Sequence, residues 1–149
     1  MPFRLVSGGG DVVNPAYVNV YASGTITPGA PVEWTITSGG TVGPAGVDTT
    51  TSVLFGVGLD YAQGASDVQV RVIPFQRHQL WNVDCANSAS TAQIGIRQYL
   101  SASRGYIHNQ ATNTNSINRV FLPIAMDGGT SGSGRLIGFF LNNIGTSGL

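Results

Sequence analysis

The residues that could bind a metal ion are few in this sequence and lie far apart. His78 and His108 are separated by thirty positions, and neither has a histidine, cysteine, aspartate or glutamate nearby at the spacing of metal ligands. We therefore predict no metal site and interpret both histidines as loop or surface residues.

A catalytic nucleophile is equally hard to find. Acyl-transfer enzymes often carry their serine in a Gly-x-Ser-x-Gly turn, and this motif does not occur in the sequence. Cys85 is the only cysteine, and it falls in a predicted strand, where a buried and unreactive thiol is the usual outcome.

The acidic residues and glycine-rich loops do not form a recognisable catalytic or phosphate-binding motif. A glycosidase needs two carboxylates on either side of its substrate, but no spacing singles out a pair. The loop DGGTSGSG at 127 to 134 lacks the later bidentate acid of a calcium loop and the Lys-Ser/Thr pair of a phosphate loop. GVG at 56 to 58 lacks the third glycine of a dinucleotide fingerprint. We predict that the protein is not an enzyme and needs no cofactor. The acids are Glu33, Asp11, Asp48, Asp60, Asp67, Asp84 and Asp127.

Exposed aromatic residues offer an alternative function, a carbohydrate-binding or adhesin module. Trp34 shares one face of a predicted strand with Val32 and Ile36, so we expect it in the core. Trp81 follows the polar stretch QRHQ and precedes Asn82, which favours a more open position. A glycan pocket would then be built on Trp81 or Tyr106.

The surface carries unusually little charge. Charged residues make up 9% of the 149 residues, the formal net charge is zero, and all seven basic residues are arginines without a cluster. Neither nucleic acid nor a membrane is therefore an expected partner. Little charge also means little repulsion between molecules in solution, and permanent assembly into a larger particle would remove that difficulty.

The elements that would position any site are strands. Tyr17 to Tyr21 alternates, the turn TPGAP follows, and VEWTI comes next, which predicts a hairpin. A second hairpin is predicted from VLFGVGL and VQVRVI. At most one helical turn is expected, at 58 to 65. Further strands are predicted at 80 to 85, 92 to 100, 119 to 126 and 135 to 141.

About eight or nine short strands with turns between them predict a single-domain, all-β fold, an antiparallel barrel or sandwich. Gly56 and Gly58 interrupt one apolar strand. They mark either a bulge where the sheet curves or a place where a neighbouring group packs close, and both interpretations lead to the same fold class.

The two ends of the chain carry apolar residues that could contact other molecules. Three glycines, 8 to 10, separate the first apolar residues from the rest, which predicts an N-terminal arm at 1–13 before an all-β domain at 14–149. The alternative is an N-terminal strand that folds back on its own sheet. Near the other end, LIGFFL is apolar on both faces of a strand, and a subunit contact could cover one of them. The predicted partner-contacting residues are Pro2, Phe3, Arg4, Leu5, Val6, Phe139 and Phe140.

The single cysteine and the N-terminal sequence indicate where the protein is made. One cysteine allows no disulfide within the chain, and MPFRLVSGGG lacks the apolar stretch of a signal peptide. We expect synthesis in a cytoplasm.

The pattern of turn glycines and strand valines resembles the head decoration, or cement, proteins of tailed bacteriophages. The resemblance lies in ASGTITPGAPVEW with its G-x-x-x-x-G-x-x-V spacing, in TSVLFGVGLDYAQGASDVQVRV, and in PFQRHQLWNV and AQIGIRQYL, together covering about residues 20 to 100. The family implies an all-β barrel or sandwich that binds the outer surface of an expanded capsid, commonly as a trimer, with a terminal arm over neighbouring subunits. The expected partners are then the major capsid protein and the chain itself, and the expected location is the virion of a phage whose host cytoplasm makes the protein.

Overall fold

The computed structural model describes residues 3–7, 17–35, 40–45, 52–63, 68–76, 79–85, 89–100, 107–108, 119–128 and 135–141. Within these ranges the chain forms short strands and one 3-10 helix, Thr91–Gln93, so the predicted all-β class is confirmed. The strands are β1 (Phe3–Ser7), β2 (Val18–Ala22), β3 (Pro31–Thr35), β4 (Thr41–Pro44), β5 (Ser52–Gly58), β6 (Gln69–Pro74), β7 (Leu80–Val83), β8 (Gln98–Leu100), β9 (Ile107–His108), β10 (Arg119–Asp127) and β11 (Arg135–Phe140).

Five strands close into a small barrel in the order β2-β4-β3-β5-β6. The β5–β6 hairpin is confirmed, but the hairpin predicted between β2 and β3 is wrong. β2 instead pairs in parallel with β4 and antiparallel with β6. The barrel interior is filled by small and β-branched side chains, which suit a five-stranded barrel because little space remains inside. They are Ala22, Ile26, Val32, Val42, Ala62, Val70 and Val72.

The other six strands form a sheet in the order β1-β7-β11-β10-β8-β9. Its inner face packs on the outside of β5 and β6, so a second and larger core lies between sheet and barrel. Aromatic rings dominate this core: Phe140 stacks on Phe75 with ring centroids 3.9 Å apart, and Trp81 meets Phe75 edge-on at 5.2 Å. The buried members of this core include Phe3, Leu54, Ile73, Phe75, Trp81, Val83, Phe121, Leu136 and Phe140.

The glycines of β5 serve both purposes that the sequence left open. Phe55 is an extra residue in the pairing of β5 with β3, which is a β-bulge. A Cβ on Gly56 would lie 2.1 Å from the carbonyl oxygen of Ile73, and one on Gly58 would lie 2.7 Å from Cγ2 of Ile26. The strand therefore bends at this point and its neighbours also come unusually close.

The structure differs from the predicted elements in three places. There are three additional strands, β1, β4 and β9. Of the strand predicted at 92 to 100, only β8 forms, because Ser90 and Gln93 make a reciprocal capping box that starts a 3-10 turn. Residues 58–63 contain no helical turn; Ala62 bridges to Ile26 instead. In the part of the chain described, no helix has the length and apolar character needed to cross a membrane.

Candidate interaction surface

The N-terminal segment is part of this chain's own sheet, so the predicted extended arm is wrong for Phe3–Ser7. β1 pairs antiparallel with β7, and the backbone N–H of Phe3 donates to the carbonyl of Gly29 at 3.3 Å. The Phe3 side chain is fully buried, with its ring 5.4 Å from that of Phe140. One edge of β1 is thus paired with β7, and the Phe3 side chain is buried within the same chain. Pro2 and the predicted boundary at residue 13 lie outside the described residues.

Six of the seven predicted contact residues lie within the described ranges, and they fall into three pairs. For Phe3 and Phe140 the predicted partner contact is wrong: both are core residues, because their side chains lie between the sheet and the barrel. Arg4 and Leu5 stand opposite Asn82 and Trp81 in the β1–β7 register. Val6 and Phe139 are at least partly exposed, and the structure leaves them available for a contact.

The outer face of the six-stranded sheet is apolar along its centre. Cross-strand partners point to the same side of a sheet, and Phe139 is opposite Leu80 on β7 and Leu122 on β10. Ile137 is on the same side, one pleat away, between Asn82 and Ala125. Burial along β11 alternates, with the core residues Leu136 and Phe140 facing the other way. Leu80, Leu122, Ile137 and Phe139 are each partly exposed.

Two bulges add branched apolar side chains to this surface. In the pairing of β1 with β7 the register shifts between Leu5 and Ser7, so Val6 has no partner residue on β7. In the same way Ile124 of β10 has no partner residue on β11. A bulge turns a side chain away from the regular alternation. Val6 is 54% exposed and Ile124 is 44% exposed. We call the set Val6, Leu80, Leu122, Ile124, Ile137 and Phe139 the apolar outer face.

A polar cluster borders one end of the apolar outer face. Arg135 Nη1 lies 2.6 Å from Oδ1 of Asp84, and its Nε donates to Oδ1 of Asn82 at 2.6 Å. Asn82 in turn donates from Nδ2 to the carboxylate of Asp127. Arg135 and Asp84 therefore form an ion pair, and Asn82 links Arg135 to Asp127 beside the apolar residues. An apolar centre next to a satisfied polar border is the usual anatomy of a protein interface.

The structure places the candidate chemical groups apart. Among the described residues no group of three or more histidine, cysteine, aspartate or glutamate side chains could hold a metal ion. His108 lies in β9, and His78 lies outside the described residues. Cys85 is a free, half-buried thiol, and its burial raises its pKa to about 11, which suppresses the reactive thiolate.

Trp81 is a core residue, so the expectation of an open position is wrong. It is 1% exposed, and its ring meets the stacked rings of Phe75 and Phe140 edge-on. The register of β7 puts Trp81 on the core side with Val83, while Asn82 points to the outer face. Trp34 is half-buried and packs on the barrel core beside Phe55, at a ring distance of 5.5 Å. Tyr106 lies outside the described residues.

Sequence reasoning missed most of the apolar outer face. It included Val6 and Phe139 but not Leu80, Leu122, Ile124 or Ile137. The available signal was the strand RLIGFF, which is apolar on both faces. No protein-family model matches the chain, and no curated protein matches it either.

Proposed function

We propose that this protein is a structural virion protein, a decoration or cement protein that assembles with copies of itself on the outer surface of a phage head. The apolar outer face is the observation that carries the proposal. The sequence resemblance to phage decoration proteins supplies the capsid as the larger partner.

The apolar outer face suits contact between copies of the chain. Its centre is formed by aliphatic and aromatic side chains, and burying them would release about 25 cal/mol for each Å² of apolar surface removed from water. In its charged border Arg135 is paired with Asp84, and the carboxylate of Asp127 accepts a hydrogen bond from the neutral amide of Asn82. The only cation of this border is thus already paired, and the chain as a whole has zero net charge, so repulsion between copies is small.

Self-association would also strengthen attachment to a capsid. When three subunits are joined, the binding of one subunit holds the other two at a high effective concentration near their own sites. Each contact with the capsid can then be weak while the attachment of the whole particle is tight. A repeating capsid surface presents its sites at fixed spacing, which is the geometry that such multivalent binding requires.

The test is binding to expanded empty heads of the phage that encodes the chain. The wild-type protein is expected to co-sediment with the heads and to raise the temperature at which they disrupt. Val6→Asp with Ile124→Asp should weaken head binding, because it places charges in the apolar outer face. Val68→Asp is the matched control, since Val68 is an exposed valine of the barrel region.

Failure of the wild-type protein to bind these heads would overturn the proposal. Equal binding by the wild-type protein and the Val6→Asp, Ile124→Asp variant would show that the apolar outer face has no part in attachment.

A further inference from the structure

A second surface lies on the barrel, outside β2 and β6. In their antiparallel register Asn19 stands opposite Arg71 and Tyr21 stands opposite Gln69. The intervening Val20 is opposite Val70, which is buried in the barrel. The alternation of the two strands therefore points Val20, Val70 and Val72 inward and the amides, rings and guanidinium outward.

Two tyrosines define the length of this surface. Tyr17 is 51% exposed and Tyr21 is 47% exposed. They are four residues apart in an extended segment, which corresponds to about 13 Å at about 3.3 Å per residue. Asn19 lies between them and is exposed. We call Tyr17, Asn19, Tyr21, Gln69 and Arg71 the tyrosine surface.

Arg71 is held in one orientation at the edge of the tyrosine surface. Its Nη2 donates to Oδ1 of Asp60 at 2.6 Å, its Nε donates to Oδ2 at 3.0 Å, and its backbone N–H also donates to Oδ2 at 2.9 Å. The guanidinium carbon lies 5.6 Å from the centre of the Tyr17 ring. The hydrogen bond from Arg71 lowers the pKa of Asp60, so the pair stays ionised and its charges compensate each other at neutral pH.

We propose that the tyrosine surface binds a neutral oligosaccharide that lies along β2. The apolar faces of two sugar rings would stack on Tyr21 and on the side of the Tyr17 ring opposite Arg71, while the amides of Asn19 and Gln69 exchange hydrogen bonds with hydroxyl groups. Because Asp60 compensates the charge of Arg71, the surface offers no net attraction to an anionic ligand. The inward direction of Val20 and Val70 leaves rings and amides outside, so the surface combines flat aromatic faces with groups that can bind sugar hydroxyls.

This inference is independent of the proposed function. It also differs from a glycan pocket on Trp81, which is buried. The stacking residues here are tyrosines that alternate with the valines of YVNVY.

The experiment is a glycan array with neutral and acidic oligosaccharides, followed by NMR titration of the full chain with cellohexaose, maltohexaose, xylohexaose and mannohexaose. At least one neutral probe is expected to bind and to shift the amide signals of Tyr17, Asn19, Tyr21 and Gln69. Tyr17→Ala and Tyr21→Ala should each weaken binding by about tenfold, whereas the phenylalanine variants, which keep the ring, should bind within about threefold of the wild type. Ile124→Asp is a distant surface control and should bind normally.

Several results would overturn the proposal. The first is that no neutral oligosaccharide binds, and the second is that only acidic glycans bind. The third is that a neutral oligosaccharide binds the Tyr17→Ala and Tyr21→Ala variants as well as it binds the wild type. If these variants instead lose head binding or self-association while no neutral sugar binds, the tyrosine surface is a protein contact. Circular dichroism and thermal melts of the variants establish that a loss of binding is not a loss of fold.

Discussion

Phe139 and Phe140 are neighbours in β11 that point to opposite faces of the sheet, so replacing each by alanine should affect a different property of the protein. Phe140 contacts the rings of Phe75, Phe3 and Phe121, with centroid distances of 3.9, 5.4 and 5.0 Å. Phe139 lies on the apolar outer face and is partly exposed. Phe140→Ala should therefore damage the fold, whereas Phe139→Ala should chiefly damage assembly.

The expected size of each effect follows from burial. Replacing a fully buried phenylalanine by alanine costs about 3 to 5 kcal/mol of unfolding free energy, because the lost burial and the remaining cavity add. A partly exposed phenylalanine should lose about 1 kcal/mol, since only part of its surface is removed from water. For a chain of this length the difference corresponds to a melting temperature about 5 to 15 °C lower for Phe140→Ala than for Phe139→Ala.

Urea unfolding followed by tryptophan fluorescence gives the unfolding free energy of both variants. Self-association makes apparent stability depend on concentration, so all proteins should be compared at one concentration and again in the Val6→Asp, Ile124→Asp background. Light scattering on the same samples reports assembly. Equal losses of stability in the two variants would refute the assignment of opposite faces, as would a dissociated Phe140→Ala that is otherwise fully stable.

Three further predictions concern single residues. Gly56→Ala should lower the free energy of thermal unfolding by about 3 kcal/mol, because the new Cβ would meet the carbonyl oxygen of Ile73. Gly95→Ala should lower it by only about 1 kcal/mol, because Gly95 has φ +81° but lies in open space. Similar losses in the two variants would contradict the close approach at Gly56. Asp60→Asn should lower stability at neutral pH. Because the folded-state pKa of Asp60 is lowered, the loss of stability should be present at every pH above the ordinary aspartate pKa of 3.8 and should disappear as the pH falls below it. Urea titrations at several pH values measure this, and a loss that does not change with pH would argue against the ion pair. Cys85, with a pKa of about 11, should react with a disulfide reagent at pH 8 about a hundredfold more slowly than in the urea-unfolded chain, and equal rates would show that it is not shielded.

The fold class could be predicted because strand alternation is a local signal. β5, β6, β7, β10 and β11 all fall within or close to stretches whose apolar residues are β-branched or aromatic. Pairing partners could not be predicted in the same way. The parallel contact of β2 with β4, and the contact of β1 with β7, join segments that are distant along the chain and whose pairing depends on the whole sheet.

The candidate surfaces could be predicted only in part, for a related reason. The alternation YVNVY already separates Tyr17 and Tyr21 from the barrel-facing valines. For Trp81 the polar residues before it are a poor guide, whereas the period of LWNV, in which Trp81 aligns with Val83, indicates the buried position. Ile124 was missed because a bulge breaks the alternation, and a bulge depends on the partner strand.

We propose that the apolar outer face joins copies of the chain, and the mass of the particle in solution shows whether this contact forms. Size-exclusion chromatography with light scattering should give the wild-type protein and Val68→Asp a mass of three times the 15.5 kDa chain, whereas the Val6→Asp, Ile124→Asp variant should have the mass of one folded chain. A wild-type protein that remains a monomer at every concentration, or a double variant that assembles as the wild type does, would contradict the account.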